Sequence, residues 1–485
     1  MKVLFASAEV TPFSKAGGLA DVAGALPKAL ESLNVETRIF TPGYSAIPWD
    51  DYDVEDVATL NVPIEDTSYP AEIVQTVLPG SKNVPVYFVK NAHFFDRKGI
   101  YTVSATGEGY EDNDERFIFF MRAILEWLKQ DEWRPDILHS NDHHTALIPA
   151  YLKDVYGELS AIKSIFTIHN MGYQGIYDPD VIPKTGFPLD YHETNPAFQF
   201  WGNVNFMKVA LYYAHKITTV SPTYAKEIMS SNEFGFGLED DLKQRESDVS
   251  GILNGVDYSE WSPENDSLIP YNFDNKNIAR KSKNRNELLR SNRLVAERST
   301  PVIGMISRLV DQKGFDILWE AMEALLEKDL RLIILGTGDQ RYERQLEEIR
   351  NDFPQKFAIN LAYNNKMAHL IEAGSDMFLM PSKYEPCGLN QMYSLKYGTI
   401  PIVHATGGLA DTIQNYDPGS HEGNGFSFTE YSSEALLETL ERALLTFRNK
   451  AQWKFLRDNA MRCDFSWDVS ARKYMELYES VLGEK

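Results

Sequence analysis

Cysteine is nearly absent from this chain of 485 residues: only Cys387 and Cys463 occur. Two thiols supply neither a disulfide framework nor a metal-ligand set, and they fit a reducing cytoplasm. Long apolar runs are missing as well, since no stretch holds the ~18 consecutive apolar residues that a membrane span needs. Positive charge is in deficit, with 48 Lys and Arg against 70 Asp and Glu, a formal net charge of −22. Such a chain repels nucleic acid and anionic membranes. An anionic small ligand would need a local cluster of Lys or Arg against that background. No repeat of solenoid period and no low-complexity tract occurs. A strand-like run begins at Lys2, which leaves no room ahead of it for a signal or transit peptide, so none is expected.

What is present is the composition of a soluble globular protein, 43% hydrophobic and 24% charged. The length exceeds one ordinary core, so two domains are expected. In the first half short β runs (2–6, 35–40, 84–89, 136–139, 164–168, 216–220) alternate with helical patterns such as 117–128. Strand-helix alternation implies a parallel sheet with crossover helices. The stretch 232–300 is polar and rich in Asn and Ser, and reads as an inter-domain region. Alternation then restarts at 302–306, 330–335, 357–361, 376–380 and 400–403. The expected fold is α/β: two doubly wound, Rossmann-like parallel-sheet domains facing across a cleft. The expected domains are 1–245 and 246–465, with a C-terminal helix over about 466–485 packing back on the first.

The pentapeptide Gly-Gly-Leu-Ala-Asp occurs twice, at Gly17-Gly18-Leu19-Ala20-Asp21 and Gly407-Gly408-Leu409-Ala410-Asp411. Each copy follows a strand-like run and precedes a helical pattern. Paired glycines there let the backbone approach a ligand and aim N–H groups at an anion. One phosphate-bearing ligand gripped from two sides is the simplest account, and coincidence is the other.

Other strand ends carry chemistry. Lys15, beside the first glycine pair, is either a diphosphate-binding cation or a solvated surface Lys. Arg308 and Lys313 follow a buried-type strand; they either neutralise a leaving diphosphate or make ordinary salt bridges. Glu385, in Glu385-Pro386-Cys387-Gly388-Leu389, could bind sugar hydroxyls or steady an oxocarbenium-like centre, or be a turn residue. Cys387 has no activating His nearby in sequence and reads as a small buried residue shaping the turn. His169 ends another strand and is either a sugar-contacting group or a core histidine; Asp142 has similar status. His139, His143 and His144 lie close together, but no partner acid or Cys has ligand spacing, so no metal site is expected. Gly336-Thr337-Gly338-Asp339 starts like a dinucleotide fingerprint, but Arg341 stands at the third glycine position and a nicotinamide reading is discarded.

Together these stretches resemble the bacterial glycogen synthase and plant starch synthase family. The matching segments run from Glu9-Val10-Thr11-Pro12-Phe13-Ser14-Lys15-Ala16-Gly17-Gly18 through Phe94-Phe95-Asp96-Arg97, Thr167-Ile168-His169-Asn170 and Ile252-Leu253-Asn254-Gly255. They continue through 307–314, Glu385-Pro386-Cys387-Gly388-Leu389 and Thr406-Gly407-Gly408, in family order over essentially the whole chain. The resemblance implies the GT-B glycosyltransferase fold and transfer of glucose from ADP-glucose to the non-reducing 4-hydroxyl of an α-1,4-glucan, with retention, without metal or cofactor. It places Lys15, Gly17, Gly18 and Asp21 at the donor from the first domain. From the second it places Arg308, Lys313 and the amides of Gly407, Gly408 and Leu409 at the diphosphate. Glu385, Cys387, Gly388 and Leu389 would surround the glucosyl unit, with Asn254 in the sugar site and His169 near the reaction centre. Tyr363 stands where the family stacks a ring on adenine, and Asp142 and His143 stand at the acceptor. His143 departs from the family's usual Trp; His packs on a sugar face more weakly. A UDP-glucose-using glucan synthase and a catalytically inactive glucan-binding protein are the alternatives.

Overall fold

A computed structural model of the chain describes residues 1–103 and 107–483. It contains two compact units. Unit 1 comprises Met1–Val220, Ala225–Gly255 and Trp467–Lys485; unit 2 comprises Ser221–Tyr224 and Val256–Ser466.

Unit 1 is built on nine strands: β1 (Lys2–Ala6), β2 (Glu36–Pro42), β3 (Glu55–Ile64), β4 (Thr67–Val77), β5 (Pro85–Lys90), β6 (Ile137–Asn141), β7 (Lys163–Ile168) and, past a short antiparallel pair β8 (Ile176–Tyr177) and β9 (Val204–Asn205), β10 (Lys216–Thr219) and β11 (Val249–Gly251). The sheet order is β11-β10-β7-β6-β1-β2-β5-β4-β3. All neighbours from β11 to β5 are parallel, and β5-β4-β3 are antiparallel. The parallel centre is buried on both faces: Val3, Leu4, Phe5 and Ala6 are fully buried, as is all of β6, its polar His139, Ser140 and Asn141 included. The chain order reverses between β1 and β6, and in such sheets ligands bind beyond the strand C-termini at that point.

Two features of unit 1 go beyond the sequence expectation. The hairpin β3–β4 extends the sheet, its strands alternating exposed and buried residues as an edge with one wet face does. The polar stretch 246–255 belongs to unit 1, because β11 pairs in parallel with β10. The C-terminal helix runs Trp467–Gly483 and packs on the helix Gly18–Ser32; the last two residues of the expected 466–485 helix lie outside those described.

Unit 2 has six strands, all parallel: β12 (Val302–Ile306), β13 (Arg331–Leu335), β14 (Phe357–Asn360), β15 (Met377–Met380), β16 (Ile400–His404) and β17 (Phe426–Phe428). Their order, β14-β13-β12-β15-β16-β17, is the doubly wound order 3-2-1-4-5-6, with its reversal between β12 and β15. The polar segment 256–300 is held by hydrogen bonds where apolar runs are lacking. Lys281 Nζ donates to the Glu372 and Ala373 carbonyls, both at 3.1 Å, and to Thr399 Oγ1 at 2.6 Å. Arg285 Nη2 donates to the carbonyls of Glu297 and Thr300. Hydrophobic periodicity cannot reveal a helix, here Lys281–Ser291, that is anchored by its polar side chains.

His139, in the middle of β6, is fully buried between Tyr478 Oη at 2.8 Å and Thr167 Oγ1 at 2.6 Å. It pins the C-terminal helix to the sheet and is occupied structurally. Burial pulls its imidazole down to about 3, so it stays neutral in the folded protein. Unfolding lets it protonate below its ordinary range near 6.5, so it draws stability away as pH falls from about 6.5 toward 3. Tyr478→Phe should cost about 1–2 kcal/mol in urea unfolding at pH 7 by stranding the imidazole Nδ1. His139→Gln should reduce the stability lost between pH 7 and pH 5 by about 2 kcal/mol relative to wild type. Parallel pH profiles for the two proteins would contradict this.

Candidate active site

In unit 2 three loops leave the C-terminal ends of β12, β15 and β16, next to the point where strand order reverses. The loop after β12 carries Arg308 and Lys313, and it is tied to the loop after β13. Leu309 N donates to Thr337 O at 3.0 Å, and Asp339 N to Leu309 O at 2.8 Å. A Cβ at Gly336 would lie 1.8 Å from Ser307 O, and one at Gly338 2.5 Å from Leu309 O. These two glycines therefore permit the contact between loops, which accounts for the partial fingerprint seen in the sequence.

The loop after β15 carries Glu385. Its carboxylate Oε2 lies 2.5 Å from Lys313 Nζ and accepts from Ser382 Oγ at 3.1 Å. Both side chains are mostly buried, at 18% exposure for Lys313 and 9% for Glu385. At that depth the pair is screened little by salt, and removing either partner strands the other. Arg308 is exposed, and its guanidinium makes no hydrogen bond or ion pair among the described residues, while its backbone carbonyl accepts from Ser307 Oγ and Val310 N, both at 3.1 Å. His404 Nδ1 lies 2.8 Å from Ser382 O, which ties β16 to the same loop.

The second pentapeptide packs directly on this turn. Gly408 N donates to the carbonyls of Glu385 and Pro386, both at 3.2 Å, and Leu409 N donates to Thr406 O at 3.0 Å. A Cβ at Gly407 would lie 2.0 Å from Glu385 O, and one at Gly408 2.0 Å from Cys387 O. Cys387 is buried there. Gly388 adopts φ +71°, and a Cβ there would lie 2.6 Å from the Gln391 side chain, which itself donates to Cys387 O and Gly388 O. Leu389 immediately precedes the helix Asn390–Tyr397. Asp411 accepts from Thr223 N at 2.9 Å and Thr223 Oγ1 at 2.6 Å. Tyr363, beyond β14, is 87% exposed.

In unit 1 the corresponding loops follow β1, β6 and β7. Lys15 Nζ lies 2.6 Å from Asp21 Oδ1. Gly17 N donates to Glu9 Oε2 at 2.8 Å, and a Cβ at Gly18 would meet nothing within 4 Å. Asp142, after β6, is buried in the left-handed region at φ +55° and accepts from His169 N at 2.8 Å. Burial raises its carboxyl to about 7, against the lowering effect of the His169 and Asn170 amides, with nearby Glu9 adding to the rise. His169 Nε2 lies 2.9 Å from Asn141 Oδ1, and burial holds its imidazole down to about 3. This neutral ring can donate or accept a hydrogen bond without carrying charge. His143 packs against Gly175, with Nδ1 3.0 Å from Tyr173 O, and burial lowers it to about 4. Asn254 is buried, and its Oδ1 has no partner among the described residues.

The structure thus joins Lys313 to Glu385, Gly407 and Gly408 to the 385–387 turn, Lys15 to Asp21, and His169 to Asp142. Sequence reasoning missed Asn141, Ser382, Gln391 and the role of Glu9. Single polar residues at strand ends have no periodicity to betray them, although Glu9 heads the Glu9–Gly18 segment that carries the family resemblance.

Two doubly wound domains with cationic, glycine-bearing and carboxylate loops at their strand reversals define a GT-B glycosyltransferase. Residues 2–244 match the starch synthase catalytic domain, and residues 289–454 match glycosyl transferases group 1. A glycogen synthase of Koribacter versatilis is 45% identical, over 99% of this chain and 98% of its own. The glycogen synthase of Thermotoga maritima is 43% identical, over 100% and 99%. The catalytic domain of starch synthase IV from Arabidopsis thaliana, bound to ADP and acarbose, superposes with a TM-score of 0.90 at 32% identity, covering 100% of this chain and 99% of that one. The chain belongs to the glycogen synthase and starch synthase family. Among the described residues no helix is long and apolar enough to cross a membrane.

The two glycine pairs should separate in experiment. Gly408→Ala forces its new methyl against a backbone carbonyl and should cost about 3 kcal/mol or more. Gly18→Ala, with open space at that position, should stay within about 1 kcal/mol of wild type. Thermal unfolding of the two variants checks this; equal losses would refute the distinction.

Proposed function

We propose that the protein transfers glucose from ADP-glucose to the non-reducing 4-hydroxyl of an α-1,4-glucan, with retention of configuration. The observation that carries this reading is the buried Lys313–Glu385 pair beside the unpaired Arg308, at the strand reversal of unit 2. One pair of cations serves a departing diphosphate, and one carboxylate serves the sugar. The ADP bound by the Arabidopsis relative supports an adenine donor, its acarbose supports an α-glucan acceptor, and the exposed Tyr363 ring suits base stacking.

The chemistry follows from charge. Breaking the anomeric C–O bond moves an electron pair onto the diphosphate. Arg308, Lys313 and Lys15 stabilise that charge from side chains, so the reading requires no metal. The anomeric carbon becomes oxocarbenium-like and is steadied by Glu385. The acceptor 4-hydroxyl attacks the face the diphosphate leaves, and a departing phosphate oxygen takes its proton. Configuration is therefore retained without a glucosyl-enzyme. His169 holds the glucosyl unit through a neutral ring, Asn254 lends its unpaired oxygen to the sugar, and Asp142 and His143 meet the acceptor. The two free thiols suit the cytoplasm as the compartment.

Incubation with glycogen and either ADP-glucose or UDP-glucose, followed by released nucleotide, tests the assignment. We expect ADP release to dominate. UDP release alone would transfer the reading to a UDP-glucose enzyme, and no release with either would leave an inactive glucan-binding protein. Arg308→Ala should lower kcat by about 10²-fold or more; turnover within threefold of wild type would sink the cationic account. Tyr363→Ala should raise the donor KM about 5- to 100-fold, the value of one base stack, with little change in the KM for glycogen.

A further inference from the structure

Glu9 follows β1, is 3% exposed, and has its carboxylate fully engaged. Oε2 accepts from Ala16 N at 2.5 Å and from Gly17 N at 2.8 Å. Oε1 accepts the Tyr101 hydroxyl at 2.6 Å. Gly17 immediately precedes the helix Gly18–Ser32, so this carboxylate lies at the positive end of the helix dipole. It fills the place that a phosphate takes in glycine loops whose amides cradle an anion. The amides of Ala16 and Gly17 are therefore occupied by an anion of the chain itself. What the loop still offers is the Lys15 ammonium, 46% exposed beside Asp21, and the open space at Gly18.

We propose that Glu9 is a positioning residue for glucosyl transfer: an internal anion that shapes the first glycine loop, so that Lys15 and the Gly18 amide, and not Ala16 and Gly17, meet the donor diphosphate. This rests on the donor reading above. A segment with two adjacent glycines is costly to order, and two charge-assisted bonds from one buried carboxylate supply that order before the donor arrives. Loop geometry set in advance is worth rate, because the reacting groups then need no reorganisation. The same negative charge repels phosphate from those two amides and so fixes the register of the donor on the loop.

The test uses the full chain carrying Glu9→Gln or Glu9→Ala, with ADP-glucose and glycogen. The amide of Gln keeps an acceptor but loses the charge. We expect kcat/KM for ADP-glucose to fall about tenfold in the Gln variant and about 100-fold in the Ala variant. The KM for glycogen should stay within twofold of wild type. A merely structural residue would move both substrates together and would not be rescued in part by Gln. Amide exchange at Ala16 and Gly17 provides a readout independent of turnover, and both should exchange faster in either variant. An Ala variant whose donor kcat/KM lies within twofold of wild type overturns the proposal, as does unchanged protection of those two amides. A wild-type protein that transfers from neither nucleotide-glucose would sink the assigned reaction and, with it, the donor half of this proposal; the exchange measurement would still decide whether Glu9 orders the loop.

Discussion

Two backbone segments of unit 2 touch with no room between them, and the arrangement of its loops depends on that contact. The 385–387 turn and the 407–408 pair approach so closely that a single added methyl at 407 or 408 would lie 2.0 Å from a carbonyl oxygen. Gly408 N–H donates to the Glu385 and Pro386 carbonyls of the same turn. The contact sets where Glu385 leaves the backbone, and from there its carboxylate reaches Lys313 on the loop after β12. Three loops from three parallel strands are therefore one object. The sheet supplies their spacing, through adjacent β12, β15 and β16, and the glycines supply the last approach.

The repeated pentapeptide shows how far identical residues can diverge in physical duty. Gly407 and Gly408 are small because a neighbour occupies the space. Gly18 is small with the space left open. Asp411 holds Thr223, whereas Asp21 holds Lys15. Even the amides differ: those of Gly408 and Leu409 are satisfied by backbone carbonyls, and that of Gly17 by the Glu9 carboxylate. On the proposed reading, a diphosphate reaching the second copy would compete with neutral bonds of 3.0 and 3.2 Å, weaker than charge-assisted ones.

Much of the fold was legible because parallel strands buried on both faces leave continuous apolar runs, as in Val302-Ile303-Gly304-Met305-Ile306. The hairpin β3–β4 was not, since its alternating edge strands mix Glu, Asp and Asn with apolar residues. The helix Lys281–Ser291 was hidden for a different reason: Lys281 and Arg285, which sequence reasoning treats as solvated, are its buried anchors. At the site, residue types at strand ends pointed to Arg308, Lys313, Glu385 and His169. Their partners were not visible, because pairing across 72 positions, as between Lys313 and Glu385, is a product of topology. The same holds for Glu9 and Tyr101, which are 92 positions apart.

Charge compensation within each unit bears on how a strongly acidic protein handles an anionic donor. With a net charge of −22 the chain repels a nucleotide sugar at long range, and that repulsion is screened beyond about 8 Å at physiological salt. Local cations must therefore act at close range. Lys15, half-exposed, and Lys313, mostly buried, each rest against a carboxylate, so neither ammonium stands uncompensated. On the proposed reading, a diphosphate that takes the Lys313 ammonium competes with Glu385 for it, and the carboxylate turns to hydroxyls of the glucosyl unit. Donor phosphate and donor sugar would then be bound through one exchange of partners. On that reading a nucleoside diphosphate without its sugar would take the ammonium but leave Glu385 poorly satisfied, which would favour the intact donor over the product. On the same reading Arg308, with no carboxylate to give up, would supply attraction at no such cost.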